Sequence, residues 1–130
     1  MQYPSLSECK RLERLQGPRR KVRMILDTDT YNEIDDQFAV VYALLSPESM
    51  SVEAIYAAPF WNKKSEGPAD GMYKSYEEIL RLLQRLNVSP EGFVFQGSPG
   101  FLGNGVTAYD TDAARDLIRR ALKSPEDDPL

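Results

Sequence analysis

The chain has 130 residues, a formal net charge of −4, one cysteine and no histidine. This length suits one domain with a modest core, and the acidic balance argues against a nucleic-acid partner. Without histidine the chain cannot build Ser-His-Asp or Cys-His catalytic groups or a His-containing zinc site. The composition offers no membrane span or signal peptide, so we expect a cytoplasmic protein without a membrane partner.

Strands and helices are predicted to alternate along most of the chain. Residues 1–20 form an N-terminal extension, with a short helix that Ser7 caps. Within residues 21–130, strands are predicted at 22–27, 51–58 and 93–96, and helices at 35–45, 74–86 and 112–123. This alternation predicts an α/β fold with an open, mainly parallel sheet and helices on both faces.

The segments between and after these elements carry further expectations. Residues 60–72 and the glycine-rich residues 97–109 are predicted loops, and the second is expected to be a lid or a plain connection. Residues 124–130 are typical of the connection before a further strand, so we expect residues 21–130 to be the N-terminal part of a larger domain. The unpaired sheet edge then favours a homo-oligomer. The residues of the last helix expected to face inward are Ala113, Leu117, Ile118, Ala121 and Leu122.

Acidic side chains concentrate at the end of the first predicted strand. Asp27 and Asp29 stand at and just beyond its carboxyl end, and Asp35 and Asp36 open the next helix. In an open α/β sheet, ligands bind outside the carboxyl ends of the strands. Converging carboxylates repel one another unless a cation lies between them, and Ca²⁺ or Mg²⁺ prefers such oxygen ligands. Single acids here would be ordinary helix-cap or turn residues, whereas the combination indicates a metal or sugar site.

This segment resembles the N-terminal signature of the inosine-uridine-type nucleoside hydrolases, an apolar strand followed by D-x-D-x-x-x-D-D and an apolar helix. Asp27, Asp29, Asp35 and Asp36 stand in the four acidic places. Residues 30–34 form a longer spacer than the three residues of the common family form. The longer loop is expected to reshape the approach to the metal or to add a ligand from its own residues, Asn32 or Glu33.

The resemblance extends along roughly residues 20–125, about the first half of a typical family member. Residues 52–62 are similar to the family's second strand and its following loop, where Asn62 matches a sugar-side asparagine. Residues 93–99 resemble the third strand and its glycine turn. The family's fold is a Rossmann-like α/β domain, and its members tend to form dimers or tetramers.

The resemblance implies hydrolysis of the N-glycosidic bond of a ribonucleoside by a calcium-bound water. It implies Ca²⁺ held by Asp29 and Asp36, with Asp29 also accepting the proton of the attacking water. It further implies that Asp35 and Asn62 bind the sugar, and that Asp27 orients its neighbours without touching the substrate. Because the family takes further ligands and a leaving-group acid from its C-terminal half, we expect this chain alone to be a poor catalyst or inactive.

Two other readings of the same residues stay open. The chain could be a non-catalytic fragment that retains a metal- or sugar-binding crevice. An apolar strand followed by D-x-D also opens the haloacid-dehalogenase-like, magnesium-dependent phosphatases, in which the first acid, here Asp27, is the nucleophile. Tyr31 stands where that family has Thr or Val, and the pair Asp35 and Asp36 has no role in that reading.

Overall fold

The fold is a three-stranded parallel sheet with helices on both faces. The computed structural model describes residues 5–18, 20–103, 107–125, 128 and 130. The elements in chain order are α1 (Glu8–Arg14), β1 (Val22–Thr28), α2 (Ile34–Leu44), β2 (Met50–Ala57), α3 (Pro68–Leu86), β3 (Val94–Gln96) and α4 (Asp112–Lys123). The strands lie in the order β1-β2-β3, and both neighbouring pairs are parallel. The predicted α/β class is therefore confirmed.

The described part of the N-terminal extension contains the predicted short helix. The exposed helix α1 begins after Ser7, whose hydroxyl accepts the Lys10 amide, as predicted. The predictions for residues 1–4, Arg19 and 104–106 fall outside the described residues. None of the helices in the described ranges combines the length and the apolar composition that a bilayer crossing requires.

The main core lies between one face of the sheet and the pair α2 and α3. Ile55 and Ala57 of β2 point into it, and Ile79 and Leu83 of α3 cover them; Ile55, Ile79 and Leu83 are completely buried. Alternate residues of a strand point to opposite faces, so Ala54 and Tyr56 face the other layer. Helix α3 therefore packs its apolar face into the core.

Helix α4 covers the second face, but not with the side that the sequence predicted. Ala113 is buried as expected. Leu117, Ile118 and Leu122 are instead 43%, 59% and 83% exposed, and Ala121 is exposed as well. The prediction was wrong because hydrophobic periodicity assumes that the apolar side of a helix faces the sheet.

Charged residues fix the rotation of α4. Tyr56 Oη donates to Asp116 Oδ2 over 2.8 Å, and Arg120 Nε donates to the same oxygen over 2.6 Å. Arg120 Nη1 also lies 3.6 Å from Glu53 Oε2, and Glu53 pairs with Arg23 of β1. Burial and the neighbouring Asp116 carboxylate raise the pKa of Tyr56, so the phenol remains a donor at neutral pH. Because a buried charge needs partners, this network and not apolar contact orients the helix.

Helix α3 begins at Pro68 instead of at Lys74, so residues 68–72 are not part of the predicted loop. Proline suits the first position of a helix because it has no amide hydrogen to satisfy there. Asp70 accepts the Glu66 amide over 2.9 Å and pairs with Lys74. The glycines and the proline of this segment, which indicate a loop in sequence, therefore belong to a helix start.

Gly71 allows this first turn to pack on the backbone of Phe60. A Cβ atom at position 71 would stand 2.0 Å from the Phe60 carbonyl oxygen. We expect Gly71→Ala to lower the free energy of unfolding by about 1–3 kcal/mol. Helix propensity alone predicts the opposite sign, a gain of about 1 kcal/mol. Urea unfolding followed by circular dichroism measures the change.

Gly67→Ala is the matched control, because no atom lies within 4 Å of a Cβ at that position. It should change the free energy of unfolding by no more than about 0.5 kcal/mol. Equal effects at the two positions would contradict the close approach of Gly71 to Phe60.

Candidate functional site

The candidate site lies where the carboxyl ends of β1 and β2 meet. Parallel strands bring these ends to one edge of the sheet. The end of β1, the loop that leads to α2 and the segment after β2 therefore lie side by side. The side chains that hydrogen bonds connect there are Thr28, Asp29, Thr30, Asn32, Asp36 and Asn62.

Two threonines lie beside Asp36 at the end of β1. Thr28 Oγ1 donates to Asp36 Oδ1 over 2.5 Å, and the hydroxyls of Thr28 and Thr30 are 2.9 Å apart. Thr30 is completely buried and Thr28 nearly so. Sequence reasoning missed both residues. The available signal was the alternation of threonine with aspartate from Asp27 to Thr30, since a hydroxyl can donate to a carboxylate that lies beside it.

An amide relay joins Asp29 to Asn62, although these residues belong to different strand ends. Asn32 Nδ2 donates to Asp29 Oδ2 over 2.9 Å, and Asn62 Nδ2 donates to Asn32 Oδ1 over 2.5 Å. Asn32 belongs to the spacer formed by residues 30–34, and the Lys64 ammonium donates to its backbone carbonyl. The structure thus brings together three of the residues that the sequence singled out, and Asn32 is the link between the other two.

The electrostatic environment of Asp36 differs from that of an exposed aspartate. Burial raises the pKa of Asp36 above its usual range; the Thr28 hydroxyl opposes this shift, and the carboxylates of Asp29 and Asp35 add to it. Asp35 lies at the exposed rim, where its side chain accepts the amide of Asp36 over 3.2 Å. The charges of Asp29 and Asp35 therefore both act on Asp36.

Asp27 stands apart from this cluster, on the α4 side of the sheet. It lines a cavity of about 200 Å³ together with Tyr56, Ser98, Thr111 and Leu117. Partial desolvation beside this cavity and the Asp29 charge raise its pKa. Within the described part of the chain its carboxylate makes no hydrogen bond, so its link to Asp29 is electrostatic.

The aromatic residues near the site divide into packed and exposed ones. Tyr31 stacks on Phe60 with 6.4 Å between the ring centroids, and Phe60 is buried. Trp61 is 66% exposed beside Asn62. Trp61, and the exposed part of Tyr31, are therefore rings that a flat ligand could reach without disturbing the core.

The oxygen atoms of the site are of the kind that binds a hard cation, but few of them converge. Carboxylate, amide and hydroxyl oxygens are the ligands that Ca²⁺ prefers. Within the described ranges, however, no group of three or more Asp, Glu, His or Cys side chains converges to hold a metal ion. Asp29 and Asp36 are the pair through which a cation would be held, with other oxygens completing its shell.

Comparison with known proteins identifies no relative of the chain. No protein-family model matches it, and no match was found among curated proteins or solved structures.

The raised pKa of Asp36 has a consequence for stability. A carboxyl whose pKa is higher in the folded chain stabilises the fold below its unfolded pKa, and this contribution is lost as pH rises through the folded value. With a chelator present, we expect Asp36→Asn to raise the free energy of unfolding at neutral pH, by at most about 1 kcal/mol. The gain should vanish at a pH below the usual aspartate range. Urea unfolding across pH measures it.

Asp70→Asn provides a control of opposite sign. The Lys74 ammonium and the Glu66 amide lower the pKa of Asp70, so its contribution is present above the unfolded pKa and is lost as pH falls. This variant should be less stable than the wild type at neutral pH. A loss of stability in Asp36→Asn at neutral pH would contradict the proximity of the acidic side chains.

Proposed function

We propose that the chain binds a ribonucleoside at the carboxyl edge of its sheet and hydrolyses the N-glycosidic bond to give ribose and a free base. The observation that carries this proposal is the relay from Asp29 through Asn32 to Asn62. It joins an acid at the end of β1 to an amide that follows β2. Acid and amide oxygens at one sheet edge are suited to the hydroxyls of a sugar.

The roles of the residues follow from their chemistry. Asp29 is the acceptor for the proton of the attacking water, and the Asn32 amide holds one of its oxygens in place. Asp35 lies at the rim with an exposed carboxylate that can accept hydrogen bonds from ribose hydroxyls. Asn62 offers an amide to the same sugar, and hydrogen bonds that strengthen as the sugar becomes cationic favour the transition state.

Asp29 and Asp36 would hold Ca²⁺ through carboxylate oxygens, and Thr28 fixes one oxygen of Asp36. When bound, the ion would lower the pKa of a water molecule and position the ribose diol. Asp27 acts on Asp29 through its charge. In this proposal the sheet belongs to a Rossmann-like, nucleoside-hydrolase-type domain that is cytoplasmic and acts on small molecules.

The cation is the first element to test. Because two carboxylates supply only part of the six to eight oxygens that Ca²⁺ takes, we expect weak binding, with a Kd of about 10⁻⁴–10⁻³ M. Asp29→Asn should weaken it at least tenfold, a change of about 1.4 kcal/mol. Calorimetric titration with CaCl₂ measures both values.

Glu48→Gln is the matched control for this titration. Like Asp29→Asn, it removes one negative charge, here from an exposed residue just before the start of β2. This residue lies at the amino ends of the strands, away from the candidate site. It should leave the Kd unchanged. Equal weakening by the two substitutions would show a general effect of net charge and would contradict the site.

The reaction is tested by reducing-sugar release from inosine and uridine, with Ca²⁺ and with a chelator. We expect slow, calcium-dependent release, below about 1 s⁻¹, because Asp29 and Asp36 leave a cation's shell incomplete. Asp29→Ala should abolish it. Release that persists in the chelator or in Asp29→Ala would refute the proposed chemistry. Calcium binding without any release would instead identify a binding fragment without turnover.

A further inference from the structure

Another cavity lies near the amino ends of the strands, away from the candidate site. Its volume is about 360 Å³, at the small end of the range of about 300–1,000 Å³ for pockets that hold small molecules. Its wall consists of β1, β2, the turn before β3 and the second half of α4. Four of its six lining residues are basic and one is acidic, in a chain whose net charge is −4. These residues are Arg23, Glu53, Gly92, Arg119, Arg120 and Lys123.

A β-bulge directs the one acidic residue toward this cavity. The pairing of β1 with β2 is regular up to Met24, which lies opposite Val52. The next pair is Ile25 and Ala54, so β2 has one extra residue, Glu53. Val52 packs against the main core and Ala54 belongs to the cluster on the α4 face, although residues two apart on a regular strand share a face. Bulges commonly redirect a side chain next to a functional site.

Each carboxylate beside the cavity is shared between two basic side chains. Glu53 accepts Arg23 Nη2 over 3.1 Å, and its Oε2 lies 3.6 Å from Arg120 Nη1. Asp116 accepts Arg120 Nε over 2.6 Å and also accepts Arg119. The side chains of Glu53 and Asp116 are only 20% and 3% exposed. Three guanidinium groups therefore share two largely shielded carboxylates.

Lys123 adds a further positive charge at the exposed rim of the cavity. Among the residues that the structure describes, it has no ion-pair partner. Asp128 lies 3.9 Å from Arg23, but it pairs more closely with Arg20, at 2.6 Å, so the charges of Asp128 and Arg20 offset each other. Four positive charges thus face two negative ones. Holding α4 to the sheet requires paired charges, and this excess of two is left for a ligand.

Gly92 helps to fix the guanidinium of Arg120. It has a φ of +65°, in the left-handed region that favours glycine, and its carbonyl accepts Arg120 Nη2 over 3.1 Å. Arg120 is therefore held by acceptors from α4, β2 and the turn before β3. A guanidinium has five N–H donors, so donors remain for a ligand. Because the group is already ordered, binding costs little side-chain entropy.

We propose that this cavity binds a phosphate dianion, either as the free ion or as the phosphate group of a small phosphate monoester. A phosphate monoester carries about −1.5 to −2 charges at pH 7, which matches the excess of two positive charges. Guanidinium groups donate pairs of hydrogen bonds to phosphate oxygens, and a lysine ammonium acts beside them as a point charge. The site is separate from the acidic residues at the carboxyl ends of the strands, and it does not depend on the reaction proposed there.

Calorimetric titration of the full chain tests the ligand class. Inorganic phosphate and glycerol phosphate are added at constant ionic strength and without calcium, and glycerol is the control without a phosphate. We expect both phosphates to bind and glycerol not to bind. Tighter binding of glycerol phosphate would support the site with an ester as its ligand, and equal binding would support it with the free ion. Binding of neither phosphate in the millimolar range would overturn the proposal.

Two substitutions should change the affinity in opposite directions. Lys123→Gln removes one exposed charged donor and should raise the phosphate Kd about tenfold. Glu53→Gln removes the only carboxylate among the lining residues while keeping the shape of the side chain, so it should lower the Kd. Damage to the fold would not tighten binding, so this opposite sign separates a phosphate site from a purely structural network.

Lys63→Gln is the matched control, because Lys63 is an exposed lysine in the loop after β2, at the other end of the sheet. It should leave the phosphate Kd unchanged, and circular dichroism checks that each variant is folded. Equal weakening by Lys63→Gln and Lys123→Gln would show a general effect of net charge and would overturn the site. A folded Glu53→Gln variant that binds phosphate no more tightly than the wild type would overturn it as well.

Discussion

Parallel pairing of β1 with β2 is the constraint on which the other features depend. It requires a crossover between the two strands, and α2 provides it on the face where α3 also packs. It also places both strand ends at one edge, so that an acid at Asp29 and an amide at Asn62 come within reach of a single intervening residue. The core and the candidate site are therefore consequences of the same pairing.

Charged and polar groups contribute as much as apolar packing to the position of α4 on the second face of the sheet. The network of Arg23, Glu53, Arg120, Asp116 and Tyr56 attaches α4 to the sheet. Groups that are removed from water must find partners, and satisfying them rotates the apolar side of α4 away from the main contact. This rotation leaves Leu117, Ile118 and Leu122 of α4 exposed.

Strand β1 gives Asp27 and Thr28 their different positions. Thr28 faces the buried side and supports Asp36, whereas Asp27 faces α4 and acts on Asp29 only through its charge. The spacer between Asp29 and Asp35, longer than in the resembling family, contributes Asn32, which connects the acid to the second loop. Spacer length and the proposed sugar contacts are thus physically linked.

The sequence by itself determined the class of fold and most of the elements. Apolar periodicity located the strands and α3, Ser7 marked a helix start, and the acids at the end of β1 were singled out as a candidate site. These features depend on residues that are close together in the chain, so a sequence pattern can predict them. Only the tertiary structure decided the buried roles of Thr28 and Thr30, the start of α3 at Pro68 and the exposed side of α4. Each of these depends on packing and hydrogen bonds that exist only in the folded chain, which no periodicity records.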